Sequence, residues 1–516
     1  MTHPPARATP KRPRDPRLDF FRGVAMFIIL LSHVPGNVWA LWIPARFGFS
    51  DATEIFVFCS GMASAMAFGA VFAARGWLMG AARVAFRVWQ VYWAHVGVFL
   101  LTVALLVAID LNGWGIEGRV YIREPYVVPF FEETGPTLVG LLTLTYVPGL
   151  FDILPMYLAI LAMIPVAMAL HRAGGMPAVG AGMALSWGLA TLAGVGFVEG
   201  GPPAQGWSAL VQWMNLPADP QGVRTWFFNP FAWQLVFFTG FAFGMGWLKP
   251  PPRSRALAWA AAAVLLLSTP FAWFKIHEGF FIPHGSEAHL AIAGLRAEIE
   301  PLWVKTWFGA LRYLHFLALA YLAWMAVGPR GRLLDEGLTV REPPQATRRL
   351  RAALAAPVAL LTAPYAYIDA IRALAPALDA FVLAHFPLFG DGAGLIALIH
   401  LAALITLVWN AAPARARDFV ARDLVVAAAP VIRKVGTQSL AVFMTSIPLS
   451  QMMGLALDHL GRGVWTVAAV NLTGFALLIA TAYGAAWFKR HPWRAPAPAP
   501  RDVQRDGTAQ RLQAAE

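Results

Sequence analysis

Long apolar runs recur from one end of the chain to the other, separated by short polar segments. A hydrocarbon core of about 30 Å needs about 20 apolar residues in helical form to cross it. Hydropathy predicts helical spans at 20–42, 53–73, 86–109, 150–170, 177–197, 228–247, 256–274, 303–327, 431–457 and 464–488. The pattern therefore predicts an all-α, polytopic integral membrane protein.

The region between the eighth and ninth runs is harder to divide into spans. "LIALIHLAALITLVWN" is typical of a span, whereas the apolar stretch before it is interrupted by Pro364 and Pro376. Basic residues flank this region on both sides, which implies an even number of crossings between them. We predict about twelve transmembrane helices, with ten as the alternative.

Composition and charge support a membrane protein and indicate its orientation. Only 13% of the 516 residues are charged and 58% are hydrophobic, whereas soluble domains average roughly 25% charged residues. The net charge of +12 comes from basic residues near span ends, a distribution that argues against nucleic-acid binding. Positive flanks stay in the cytoplasm. We therefore predict a basic cytoplasmic tail at 1–18, a transmembrane domain at 19–488, and a disordered cytoplasmic tail at 489–516.

The first span, "RLDFFRGVAMFIILLSHVPGN", carries groups that are costly in lipid. Arg22 and His33 are eleven positions apart, about 16 Å along a helix, and Pro35-Gly36 is expected to break the helix just after His33. Ionisable groups at membrane depth are functional candidates, and broken backbone is tolerated there only beside protein or a water-filled cavity. We predict that His33 faces a cavity. The alternatives are that Arg22 is a topology signal and that His33 bonds a neighbouring helix.

The second span opens with two acids in "GFSDATEIFVFCSG". Asp51 and Glu54 are three residues apart and share a helical face. Glu54 could orient and charge-stabilise a catalytic histidine, as carboxylates do in triads. The alternative is that one or both acids, Asp51 above all, only complement the positive end of the helix dipole.

The third span begins "ARVAFRVWQVYWAH", with Arg83 and Arg87 one turn apart at its cytoplasmic end. His95 lies two turns deeper on nearly the same side as Arg87. The arginines predict either a topology signal or a cytoplasmic anion site that binds phosphates.

The eighth span, "VKTWFGALRYLHFLALA", places Lys305, Arg312 and His315 on one face, entering from the outside. Lys305 could simply extend to the interface. Arg312 lies roughly 10 Å further in and needs an anionic partner, which is either an acidic side chain or a substrate carboxylate.

Outer-side features of the chain are less specific. In "FFNPFAWQLVFFTG", Asn229, Trp233 and Gln234 could contact a sugar or could cap and anchor the helix. The outer loop 277–289 contains three histidines, but their spacing matches no metal-binding motif, so we predict no metal site.

Six blocks of the chain together resemble the OpgC family, within the acyltransferase-3 membrane superfamily. They are "RLDFFRGVAMFIILLSHVPGN", "FGFSDATEIFVFCSG", "LTYVPGLFDILPMYL", "FNPFAWQLVFFTG", "LRYLHFLALA" and "GTQSLAVFMTSIPLS", which cover about 17–330 and 430–488. Arg22 and His33 match the superfamily's arginine–ten residues–histidine pattern, and the resemblance implies that His33 is catalytic. Arg83 and Arg87 have three residues between them where the superfamily's paired arginines usually have two. The segment 331–429 is longer than the family pattern.

The resemblance implies an O-acyltransferase of the bacterial inner membrane that succinylates osmoregulated periplasmic glucans. It implies no permanently bound cofactor, an acyl-CoA co-substrate (succinyl-CoA), a periplasmic glucan acceptor, the lipid bilayer and the glucan-synthesis machinery as partners, and no nucleic acid. On this basis His33, Glu54 and Asp51 are the expected catalytic residues, and Arg22, Arg83 and Arg87 bind acyl-CoA. Substrate binding is expected from His95, Asn229, Trp233, Gln234, Lys305, Arg312 and His315. The alternative function is a transporter or flippase for a glucan or glycolipid, which would use similar buried charges and a broken helix.

Overall fold

The computed structural model describes residues 15–195, 197, 199–201, 205–338, 342–366 and 393–493, and these are helical apart from their connections. The α-helices of the first half are α1 (Pro16–His33), α2 (Ala52–Leu111), α3 (Val128–Glu132), α4 (Thr134–Thr143), α5 (Ile153–Ala162), α6 (Ile164–Gly194), α7 (Pro230–Met245), α8 (Arg255–Ala272), α9 (Phe274–His277) and α10 (Glu287–Glu298). Those of the second half are α11 (Glu300–Trp303), α12 (Ala310–Val327), α13 (Arg332–Glu336), α14 (Gln345–Ala366), α15 (Ala393–Ala411), α16 (Ala414–Asp418), α17 (Leu424–Thr437), α18 (Ser439–Leu460) and α19 (Val464–Lys489). Short 3-10 turns cover Val38–Trp42, Pro44–Arg46, Tyr121–Arg123, Gly206–Met214 and Pro329–Gly331, and a π-helical turn covers Phe419–Asp423.

The all-α, multi-pass class is confirmed. Within the described residues, six helical segments are long and apolar enough to cross a membrane, namely Ala52–Leu111, Ile153–Gly194, Arg255–Ala272, Ala310–Val327, Ser439–Leu460 and Val464–Lys489. The number of about twelve crossings and the cytoplasmic side of both termini stay predictions. Residues 1–14 and 494–516 of the predicted tails, and 367–392 of the long segment, lie outside the described residues.

Two of the predicted loops are replaced by sharp breaks in continuous helical segments. Helix α2 has 60 residues, about 90 Å if straight, and is broken at Gly76, whose φ of 79° is favourable only for glycine. Helix α6 is broken at Gly174 and Gly175, and Gly175 has a φ of 64°. Each break divides a segment too long for one crossing, α2 in one case and α5 with α6 (Ile153–Gly194) in the other, into two arms that are each long enough to cross.

A single large apolar core joins α1, α2, α5 to α7, α18 and α19. Small residues let backbones approach closely within it: Gly61 of α2 lies on the carbonyl of Phe237, and Gly240 of α7 lies on the carbonyl of Phe58. Between helices in lipid, such close packing replaces the hydrophobic driving force of water. The long arms of α2 and the helix α7 therefore form the rigid centre on which the polar residues are placed.

Candidate functional site

Helix α1 ends at His33, and the break that follows is held by specific contacts. Val34 is extended, Gly36 has a φ of 68°, and the Arg462 guanidinium packs against Gly36. The side-chain amides of Asn37 and Asn471 exchange two hydrogen bonds of 2.9 and 3.0 Å. The position of His33 at the end of α1 is thus fixed by α19 and by the turn between α18 and α19.

Arg462, which packs on Gly36 at this break, belongs to a group of side chains that bond to one carboxylate of α18. Asp458 accepts hydrogen bonds from Arg462 at 2.6 Å, from Arg119 at 2.6 Å and from the Tyr121 hydroxyl at 2.7 Å. Burial raises the pKa of Tyr121 to about 12. The Asp458 carboxylate adds to this rise because it accepts a hydrogen bond from the protonated phenol. The loop after α2 is thereby tied to the residue that packs on Gly36.

The two acids at the start of α2 form a capping box and two ion pairs. Asp51 accepts from the Thr53 amide at 2.6 Å, and Glu54 accepts from the Asp51 amide at 2.7 Å. Lys305 donates to Asp51 at 2.6 Å, and Arg312 donates to Glu54 at 2.9 Å. Of the two partners expected for Arg312, the structure therefore provides the acidic side chain.

His315 completes this polar cluster from α12. Its Nδ1 lies 2.7 Å from the Ser50 hydroxyl, and its ring packs against Gly48. The backbone just before α2 is thereby held against α12. His315 therefore supports the segment that carries Asp51 and Glu54.

His33 lies close enough to Lys305 and Asp51 to interact with both charges. Its Nδ1 is shielded from solvent and has no hydrogen-bond partner among the described residues. Glu54 accepts hydrogen bonds from the Asp51 amide and from Arg312, and it has no hydrogen bond to a histidine among the described residues. The carboxylate near His33 belongs to Asp51, which is also the ion-pair partner of Lys305.

Lys305 connects this cluster to an acid that the sequence did not single out as a site residue. Its ammonium interacts electrostatically with His33, Asp51, Glu54 and Asp152. The Lys305 side chain is 25% exposed, whereas that of Arg312 is 9% exposed. Lys305 is therefore the more accessible of the two cations in this cluster.

The three arginines expected to bind phosphate line one cavity of about 260 Å³ near the other end of α1. Arg22 donates to the Ser439 hydroxyl, and Arg87 donates to Gln90 at 3.1 Å. Lys489, which the predicted boundary assigns to the tail, is the last residue of α19 and also lines the cavity. Four cations thus surround one cavity, and the fourth was missed because it lies about 400 residues away in sequence.

His95 is placed in the apolar core of α2. Its side chain has no exposed surface, and neither ring nitrogen has a hydrogen-bond partner in the described part of the chain. It does not line the cavity of Arg83 and Arg87.

Asn229, Trp233 and Gln234 are buried and bond to backbone. Asn229 caps α7 through the Phe231 amide and donates to the Met214 carbonyl at 2.8 Å. The Trp233 indole donates to the Lys305 carbonyl at 2.9 Å, and Gln234 donates to the Met183 carbonyl at 2.9 Å. Of the two alternatives for these residues, the structure displays capping and anchoring, and through Trp233 it fixes the backbone of Lys305.

A row of aromatic rings lies beside the segment that leads into the polar cluster. The ring centroids of Trp42 and Phe47 are 6.0 Å apart, and Phe47 lies 5.0 Å from Trp273. Trp42 is 58% exposed, and Phe47 is four residues before Asp51 in the chain. Sequence patterns offered no signal for this row because Trp273 comes from a distant segment. Within the described residues, no group of three or more potential metal-ligating side chains comes together.

Comparison with known proteins identifies one family. A family model described as OpgC protein matches residues 14–340 and 337–490, which is most of the chain. No curated protein and no solved structure matches. The matched ranges include every residue of the cavity and of the outer polar cluster.

Proposed function

Because the chain belongs to the OpgC family, we propose that it is a membrane acyltransferase that moves a succinyl group from cytoplasmic acyl-CoA to hydroxyls of a periplasmic glucan. One observation carries this proposal: a cavity with four cations lies at one end of α1, and His33 lies at the other end. Apart from Ser32, which bonds to the Ile29 carbonyl, the residues between Arg22 and His33 have no polar side chain. A donor site and a reaction site on opposite faces of the inner membrane are what such a transfer requires.

The cavity is suited to the phosphates of the donor. Phosphates are bound by charge-assisted hydrogen bonds, above all from arginine, and Arg22, Arg83, Arg87 and Lys489 are all directed at the same space. Ser439 and Gln438, which hold Arg22 and Lys489, orient two of these cations. The acyl thioester would then extend along α1 towards His33.

His33 supplies the chemistry by one of two routes. As a general base it takes the proton of a glucosyl hydroxyl, whose oxygen attacks the thioester carbonyl carbon. The carbon–sulfur bond breaks, and the CoA thiolate takes the proton from the imidazolium. Alternatively His33 attacks the thioester first and passes the acyl group to the hydroxyl. Both routes yield one ester and one free CoA thiol.

Lys305 is the proposed partner of the succinyl carboxylate. A carboxylate that reaches membrane depth needs a cation, since an unpaired buried charge is costly. Both cations are paired, Arg312 with Glu54 and Lys305 with Asp51, but Lys305 is near His33 and its side chain is more exposed. The aromatic row of Trp42, Phe47 and Trp273 offers apolar faces on which pyranose rings of the acceptor can pack.

The test is reconstitution of the purified protein in liposomes with labelled succinyl-CoA and glucan. His33→Gln keeps the approximate size of the side chain but not its basicity, and it should lower succinyl transfer by on the order of 10²–10⁴ while donor binding is retained. His459→Gln is the matched control, because His459 bonds the Trp114 carbonyl at the outer surface.

Near-normal turnover by His33→Gln would contradict histidine chemistry at this position. Movement of glucan or glycolipid across the bilayer without any acyl transfer would instead support the transporter alternative.

A further inference from the structure

Helices α14 and α15 form a hairpin that packs chiefly on itself. Its buried contact is centred on the small residues Ala355, Ala359 and Ala403, with Leu404 and Leu407 partly buried against them. The large apolar side chains Leu354, Leu361 and Ile405 are more than half exposed. Small residues at the helix contact with large apolar residues facing outward are typical of helices surrounded by lipid.

A cavity of about 390 Å³ lies at the end of this hairpin where α14 begins and α15 ends. Its polar lining is Gln345, Arg348, Arg349 and Asn410, and the remaining lining residues are apolar. The cavity therefore has one cationic side and one apolar side that continues onto the exposed leucines. It is separate from the cavity of Arg22, Arg83 and Arg87 and shares no residue with it.

The carbonyls at the end of α15 are already covered by arginine. Arg348 donates to the carbonyls of Asn410 at 2.5 Å and Ala412 at 3.3 Å. Arg417 donates to the Ala412 carbonyl at 2.5 Å and to both carboxylate oxygens of Glu342 at 2.6 and 2.7 Å. The negative end of α15 is therefore neutralised, and Glu342 is the carboxylate that pairs with Arg348 and Arg417.

Arg349 has no hydrogen bond or ion pair within the described residues and is exposed at the cavity. An unengaged guanidinium beside an adjoining apolar surface recognises a phosphate that carries acyl chains.

We propose that this cavity binds the headgroup of an anionic phospholipid, with the phosphate at Arg349 and the acyl chains along the apolar faces of α14 and α15. Basic pockets between membrane helices on the cytoplasmic side are suited to anionic headgroups. A soluble phosphate would use the cationic side of the cavity but would leave its apolar side without a partner. The site is independent of the proposed acyl transfer.

The test measures lipid retention by the full-length protein in detergent, after incubation with vesicles of phosphatidylcholine containing phosphatidylglycerol, by native mass spectrometry. Wild type should retain phosphatidylglycerol in preference to phosphatidylcholine. Arg349→Gln should lower that preference about fivefold, the effect expected for one arginine near an anionic surface. Arg255→Gln is the control, because Arg255 is exposed at the start of α8 and lines neither cavity.

Equal loss in Arg349→Gln and Arg255→Gln would overturn the proposal, since it would reflect general surface charge. An unchanged preference in Arg349→Gln would overturn it as well. Competition by millimolar inorganic phosphate that abolishes the preference would identify a soluble anion as the ligand and would also refute the lipid assignment. Arg348 is left intact throughout because it holds α15 in place.

Discussion

The buried pair of Glu54 and Arg312 allows the sharpest test of how the outer cluster is held together. Their charged atoms are 2.9 Å apart, and the Glu54 side chain has no exposed surface. With an effective dielectric constant of about 20, the gross attraction at that distance is about 6 kcal/mol. Removal of both charges from water offsets much of this, so the net contribution of the pair is small.

Removal of one partner is a different perturbation. Arg312→Met leaves the Glu54 carboxylate buried with the Asp51 amide as its remaining hydrogen bond. Breaking a buried pair in this way costs about 3–5 kcal/mol, because the remaining charge is uncompensated. The double variant Glu54→Gln/Arg312→Met removes both charges and should regain most of that loss. We therefore expect a coupling energy of about 3 kcal/mol or more between the two sites.

The assay is unfolding of the purified protein in detergent, followed by tryptophan fluorescence during titration with SDS. Arg332→Met is the matched control, because its pair with Glu336 is exposed and its loss should leave the stability close to that of wild type. Arg312→Met with wild-type stability would refute the reasoning. A double variant as unstable as Arg312→Met would show that the arginine acts through packing alone.

Three further results are expected. Lys305→Met should reduce succinyl transfer more than acetyl transfer, measured with both CoA donors in liposomes, and an equal loss would assign Lys305 to support of Asp51. Replacing both Arg83 and Arg87 with Gln should weaken acyl-CoA binding and reduce its salt dependence. Unchanged affinity in a binding titration would mean that the two arginines act only as topology signals. A periplasm-active phosphatase fused after Glu516 should be inactive, and strong phosphatase activity would reverse the predicted orientation.

The helices could be predicted from hydropathy, but the connections between some of them could not. A loop was expected at 74–85, yet helical structure continues through it and reverses at Gly76 alone. A single glycine with positive φ changes the chain direction without the polar residues that mark a loop. The same holds at Gly174 and Gly175. Composition averaged over a window contains no signal for a break of one or two residues.

The local features of the site could be predicted, whereas its pairings could not. The end of α1 at His33 follows from Pro35-Gly36, and the cap of α7 follows from Asn229 before Pro230, a familiar start signal. The partner of Arg312 remained open between an acid and a substrate because the choice depends on how α12 packs beside α2. Glu54 and Arg312 are 258 residues apart, and no local pattern encodes their contact.

The contacts that hold α1 in place explain why it carries Arg22 and His33, two groups that are energetically costly in lipid. Its inner half crosses α17 at a close contact in which Gly23 lies on the Ile432 carbonyl and Gly436 lies on the Asp19 carbonyl. Its outer end is fixed by the Asn471 amide and by Arg462. A helix held at both ends keeps a constant distance between Arg22 and His33. Under the proposed function, that distance matches the donor phosphates to the base, so α1 serves as the spacer that positions a cytoplasmic donor for reaction at the outer side.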